Sequence, residues 1–325
     1  MPVAPENRVP QPAISTCFAR LQLAPRQAYK SLTLWPLVLR EDASPSAAPP
    51  YEALADALDA GRLRVDEVCA HGVVSQVRVE NDGDLAVLVL FGEELRGAKQ
   101  NRIANASFLV GPKSTVAIDV SCVEAHRWTR RSPNDRFFAS GEVVSSAMRR
   151  KIAGDVLTSR LRGRFSSDQQ EVWKEVGLRL SGSGATSASQ AYADYVGKRR
   201  SELQEFATAF HPIEGQAGFV AAIGDEIAGI EVVGRPEVFA RCFSALSRAY
   251  AIDAVDAVLL RPRAKPARVF DAPEPFFAAV QTATGSATRS LGLGEDVRVS
   301  GGGIAAAALV AVDVVHLTAF PADTD

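Results

Sequence analysis

The order of hydrophobic periodicities constrains this chain more than any other feature. From Leu63 to Val123 short β-branched runs, "LRVDEV", "SQVRVEN", "LAVLVLFG", "RIANASFLV" and "STVAIDVSCV", alternate with turn chemistry at "NDGD" and "GPKS". The period then changes. "VVSSAMRRKIAGDVLTSRL" sets Val144, Met148, Ile152 and Val156 four residues apart, one face of an amphipathic helix. "SSDQQEVWKEVGLRL" and "ASQAYADYVGKRRSELQEFATAF" predict two more helices, joined by a flexible "SGSGATS" loop. At Ala217 the β pattern returns with "AGFVAAI" and "EIAGIEVV" around the two-residue turn Gly224-Asp225. Strands, then helices, then strands, without regular alternation, predict an α+β fold: an antiparallel β-rich core with a helical insertion between two β segments.

The remaining segments fit that frame. "SLTLWPLVLR" predicts a strand, and "YEALADALDAG" a helix stopped by Gly61. "RPEVFARCFSALSRAYAIDAV" predicts a helix with Pro236 in its first turn, and "PEPFFAAVQTAT" a shorter one after the loop "RPRAKPAR". "DVRVSGGGIAAAALVAVDVVHLTAF" closes the chain as strands. Residues 1–16 are proline-rich with few large apolar side chains and are expected to form a disordered tail. Residues 17–325 are expected to form one α+β domain, with a β-rich part over 17–128, a helical part over 140–210 and a β/α closing part over 213–321.

Composition narrows the function classes. A net charge of −2 gives no general reason to expect nucleic-acid or membrane binding. No apolar run is long enough to span a bilayer, and the N-terminus lacks a signal-peptide pattern. Cys17, Cys69, Cys122 and Cys242 are widely spaced, which argues for reduced thiols and a cytoplasmic protein. His71, His126, His211 and His316 are equally scattered, so no metal site is expected. P-loop, HExxH and GxSxG motifs are missing. "GGGIAA" imitates a dinucleotide fingerprint, but the residues after it read as strands, not as a helix and a further βαβ unit.

"FGEELRGAKQNR" is the most informative motif. It joins two apolar runs and is longer than an ordinary hairpin connection. As a loop, it offers acceptors (Glu93, Glu94), amides (Gln100, Asn101) and cations (Lys99, Arg102). Gly92 and Gly97 would let the backbone approach a ligand. The bland reading is a solvated loop with weak charge pairs. In "STVAIDVSCVEAHRW", period 2 places Cys122 and Glu124 on the apolar face of Val116, Ile118 and Val120, with Arg127 as a partner for Glu124. Cys122 is more often a buried small hydrophobe than a nucleophile. Trp128 could stack a nucleobase or belong to the core. Ten basic side chains against three acidic ones crowd residues 127–164. They could be a solvated helix face, phosphate ligands or, least favoured, an RNA-binding segment. Asp168 and Gln169 stand where a capping box opens a helix, which is preferred to a place in a ligand site.

Taken together, "GEELRGAKQNR", "VSCVEAHRW", "SDQQEVW" and "GQAGFVAAIGDEIAG…VHLTAF" resemble the ARG and Rhodanese-Phosphatase-superfamily-associated Protein domain, over about Ala19 to Phe320. The family is named for gene neighbourhoods shared with ADP-ribosylglycohydrolases and rhodanese-type phosphatases. That resemblance implies work on NAD-derived or ADP-ribosylated molecules, with ADP-ribosylglycohydrolase-pathway proteins as partners, and names no cofactor. Its pattern falls on Gly92, Glu93, Glu94, Gly97, Lys99, Gln100, Asn101 and Arg102, then Cys122, Glu124, Arg127 and Trp128, then Asp168, Gln169 and Trp173.

The resulting expectation is a nucleotide-like small-molecule ligand of the ADP-ribose class. Lys99, Arg102 and Arg127 would hold phosphates. Glu94 and Glu124 would act as acid and base if the protein is a hydrolase. The alternative is a non-catalytic interaction module that docks a partner on the charged 92–102 loop. The two differ in geometry: the first needs Glu94, Lys99, Arg102 and Glu124 around one concavity, the second spreads them outward or buries them in mutual ion pairs.

Overall fold

A computed structural model describes residues 9–44, 46–132, 135–259 and 270–322. Its largest element is a ten-stranded sheet. From one edge the strands run Val9–Pro10, Thr284–Arg289, Glu295–Gly301, Ile304–Ala311, Asp313–Pro321, Glu226–Val233, Gln216–Ile223, Leu32–Leu39 and Leu21–Leu23, with Gln27–Tyr29 also on Leu32–Leu39. A six-stranded sheet follows the order Phe138–Val143, Glu93–Arg96, Arg102–Ala104, Ser114–Cys122, Gln76–Asn81 and Leu63–Glu67. Phe108–Val110, Ala86–Val89 and Tyr51–Ala53 form a third sheet, in which the last pair is parallel. The fold is α+β, with the helices Ser146–Ser159, Gln169–Ser183, Tyr192–Lys198 and Arg200–Ala209 inserted between two β segments, as the periodicities predict.

The large sheet is buried on both faces. In Gln216–Ile223, Phe219 and Ala221 belong to one apolar cluster and Val220 to another. That explains a continuous apolar run where a half-exposed strand would alternate. On one face lie the helix Pro236–Leu259 and the smaller sheets; Phe219 meets Phe239, Phe243 and Tyr250 edge-on. The helices Pro12–Ala19 and Pro273–Gln281 cover the other face through Ile14, Phe18, Phe276 and Val280. Val144, Met148, Ile152 and Val156 are all buried, as their spacing predicts.

Four expectations change. The tail predicted over 1–16 is ordered at least from Val9: Pro12–Ala19 is a helix whose first turn carries proline, and Ile14 and Phe18, four apart, both enter the core. Residues 1–8, and the basic loop "RPRAKPAR", lie outside the described residues. The single helix expected over 188–210 is two, parted at Arg199. Thr284, read as the end of a helix, opens the strand Thr284–Arg289, which the periodicities left unassigned. The fourth change matters most. The stretch 91–102 is not an exposed loop but an antiparallel hairpin, with Ile103 opposite Glu94 and Arg102 opposite Leu95. Most of its polar residues are inside, held by bonds to one another, to neighbouring side chains and to the backbone.

Candidate functional site

The hairpin turn stands on unusual backbone. Gly97 has φ +116°, and a Cβ there would lie 2.2 Å from the Arg136 carbonyl oxygen. Glycine is required because this chain's own backbone approaches, not a ligand's. Ala98 follows at φ +42°, in the left-handed region that a side chain disfavours. Arg127 holds the turn in place. Its guanidinium donates to the carbonyls of Gly97 at 3.2 Å and Ala98 at 2.5 Å, and to Asn101 Oδ1 at 3.2 Å. The same guanidinium forms a two-point pair with Glu124, at 2.9 and 2.7 Å.

Glu124 is 1% exposed and also accepts from the Asn101 N–H at 3.0 Å. Burial alone would raise its carboxyl, but the hydrogen bonds from Arg127 and Asn101 outweigh it and hold the group below the usual carboxylate range. A carboxylate so stabilised is a poor base. Gln100 extends the cluster, donating to the Glu124 carbonyl at 2.9 Å and accepting from Arg102 at 2.6 Å. Arg102 is fully buried, opposite Cys122 in the ladder, and lies 5.3 Å from the Trp128 ring centre. Burial pushes the Cys122 thiol up against the pull of Arg102, which disfavours the thiolate a nucleophile needs. Lys99 donates to the Ala70 and His71 carbonyls and also lies over Trp128. Gln169 clamps the Cys122 peptide from both sides, at 2.7 and 2.8 Å. Asp168 caps its helix through the N–H groups of Gln170 and Glu171, the role its motif predicts.

The start of the stretch points elsewhere. Gly92 has φ +80°, and a Cβ there would lie 2.6 Å from Arg149 Cδ. It makes room for a fully buried arginine that pairs with Glu231 at 2.7 Å. Glu231 also accepts from Tyr250 and Thr318 and faces His316 Nε2 at 3.3 Å. His316 Nδ1 in turn lies 2.6 Å from Ser107 Oγ. Serine, histidine and glutamate thus stand in line, but all three are buried, and Arg149 neutralises the carboxylate. This network ties the large sheet to the small ones. Glu93 accepts from the Leu90 N–H at 2.9 Å, and burial pushes its carboxyl up to about 7. Glu94 accepts from Arg96 Nε at 2.7 Å, and burial raises it as well.

Most of the stretch is therefore internal scaffold. The concavity lies beside it. A groove of about 530 Å³ is lined by Arg96, Asn101, Arg131, Phe138, Thr186, Lys198 and Arg200, with Asp194 at its edge. Of the residues expected to form a site, only Asn101 lines it; Glu94, Lys99, Arg102 and Glu124 do not. Arg131, Lys198 and Arg200 are exposed, and none of them forms an ion pair among the described residues. Phe138 is 52% exposed. Arg96 comes from the hairpin, Arg131 from the basic run after Trp128, Thr186 from the inter-helix loop, and Lys198 and Arg200 from the break between two helices. The doublet at 130–131 and the run "GKRR" at 197–200 were the available sequence signals. Only the fold shows that they converge.

The rest of the basic segment is dispersed. Arg130 pairs with Asp66, Lys151 with Glu175 and Arg164 with Asp119, while Arg149 is buried. No described helix is long and apolar enough to cross a membrane. Comparison with curated proteins and with solved structures gives no match. The family model that does match spans residues 20–320, nearly the whole chain. On that coverage, the chain belongs to the ARG and Rhodanese-Phosphatase-superfamily-associated Protein domain family.

Proposed function

We propose that the groove binds an anionic nucleotide of the ADP-ribose class, free or attached to a modified substrate. The observation that carries this reading is the convergence of Arg96, Arg131, Lys198 and Arg200 on one concavity of ligand size. Arg96 is paired with Glu94, and the other three cations share the groove lining with one carboxylate, Asp194, which accepts from Ser187. A diphosphate is the natural complement, since guanidinium groups pair with its oxygens at two points. The exposed Phe138 ring offers a face for a base. The family's association with ADP-ribosylglycohydrolases favours ADP-ribose over other diphosphates. Glu124 and Arg127 support the groove by holding the Asn101 turn.

Glu94 and Glu124 are buried in ion pairs with Arg96 and Arg127, the arrangement expected of the interaction module and not of a ligand pocket at 92–102. The same burial leaves that stretch no docking surface, so the ligand reading rests on the groove alone. The ligand class is tested by the thermal midpoint of the purified protein with ADP-ribose, NAD, ADP and inorganic phosphate in large excess. Ligand at about a hundred times its dissociation constant stabilises by roughly 2.7 kcal/mol. We expect ADP-ribose to raise the midpoint by several degrees, and phosphate far less. No rise with any nucleotide would overturn the proposal.

A further inference from the structure

Behind the groove lies a smaller recess of about 100 Å³. The two share Arg96, Ala193, Gly197 and Arg200 in their walls, so the recess adjoins the groove. Its far wall is Glu142, with Arg248 beside it. The strand Phe138–Val143 changes register against Glu93–Arg96 between Ala139 and Val143. Gly141 sits in that irregularity at φ +72°, with open space where a Cβ would be. A bulge of this kind re-aims a side chain. Here it falls beside Glu142, which is 6% exposed.

Glu142 is incompletely partnered. Oε1 accepts from Arg248 at 2.5 Å, while Oε2 is buried without a hydrogen bond. The same holds for one nitrogen of Arg96: Nε donates to Glu94, but Nη2 is buried without an acceptor. The Arg96 charge acts on Glu142, so the two groups are neighbours. An unused acceptor and an unused donor thus belong to two side chains that line one recess, and leaving such groups unmet is costly.

We infer that this recess is a subsite for a vicinal diol, the hydroxyl pair of a ribose ring, with Glu142 accepting from one hydroxyl and Arg96 donating to another. A hydroxyl both donates and accepts, which matches this pair of groups. The inference rests on the groove reading and adds to it: phosphates lie among the groove cations and the terminal ribose reaches inward. Discrimination then follows from leaving a buried carboxylate oxygen unmet when the diol is missing.

The test is calorimetric titration of the full chain with ADP-ribose and with ADP, which lacks the terminal ribose. Wild type should bind ADP-ribose at least tenfold more tightly. Glu142→Ala should bring that ratio close to one. Removing one partner of a buried ion pair can unfold a protein, so the paired variant Glu142→Met with Arg248→Met, which leaves no orphaned charge, should do the same. If both ligands bind wild type equally, or the preference survives in both variants, the diol subsite is refuted while the groove stands. If neither ligand binds wild type, the groove reading falls, and this inference with it.

Discussion

At the residue scale, three buried carboxylates of one β region differ in their environments. Glu124 has two guanidinium hydrogen bonds and a backbone N–H and is held low. Glu93 has one backbone N–H and is pushed up to about 7 by burial. Glu142 has one arginine and is raised by burial against it. The sign of each effect on stability follows from linkage. A carboxyl whose folded value is raised contributes fully below its unfolded value of 4.5, and that contribution is lost as pH rises toward the folded value. For Glu93 this window runs from 4.5 to about 7. Glu93→Gln keeps an oxygen for the Leu90 N–H and removes the titration. Its thermal midpoint should match wild type near pH 4.5 and exceed it by a few degrees at pH 8. A variant less stable than wild type at pH 8 would show that the ionised form is needed.

At the element scale, the hairpin is where sequence reading and structure diverge. The order of strands and helices was legible because periodicity 2 and periodicity 3.6 are local properties, and Val144, Met148, Ile152 and Val156 could be placed inside on spacing alone. "GEELRGAKQNR" misled because charge density is a surface signal only when the charges lack partners. Arg127, Arg149 and Ser107, which satisfy or neighbour the stretch, come from elsewhere in the chain. The groove was hidden for the same reason: Arg96, Arg131 and the Lys198/Arg200 pair lie on three separate segments. The two glycines were rightly noticed, but the groups they admit are an internal carbonyl and an arginine stem. The element-scale prediction contrasts Gly97 with Gly61, which has φ +68° and open space around it. Gly61→Ala should cost about 1 kcal/mol of conformational strain. Gly97→Ala adds the collision with the Arg136 carbonyl and should cost more than about 2 kcal/mol by chemical denaturation. Equal losses would mean that the turn relaxes freely and is not the rigid support described here.

At the scale of the whole molecule, the architecture separates support from contact. The large sheet, buried on both faces, and the Arg149–Glu231–His316 network fix the small sheets in place. The hairpin and the Glu124–Arg127 pair fix the turn. Half-buried Arg96 of the hairpin, with exposed cations of the following basic run and the helix break, then lines a concavity beside the turn. Which cations hold the ligand decides the account. The direct measurement is the dissociation constant of ADP-ribose for wild type, for Lys198→Ala combined with Arg200→Ala, and for Lys99→Ala. The account predicts at least a tenfold loss, about 1.4 kcal/mol, in the double variant. It predicts a change of less than twofold in Lys99→Ala, because that ammonium is committed to the Ala70 and His71 carbonyls. The reverse pattern, binding lost with Lys99 and retained without Lys198 and Arg200, would place the ligand at the Trp128 cluster and contradict the groove.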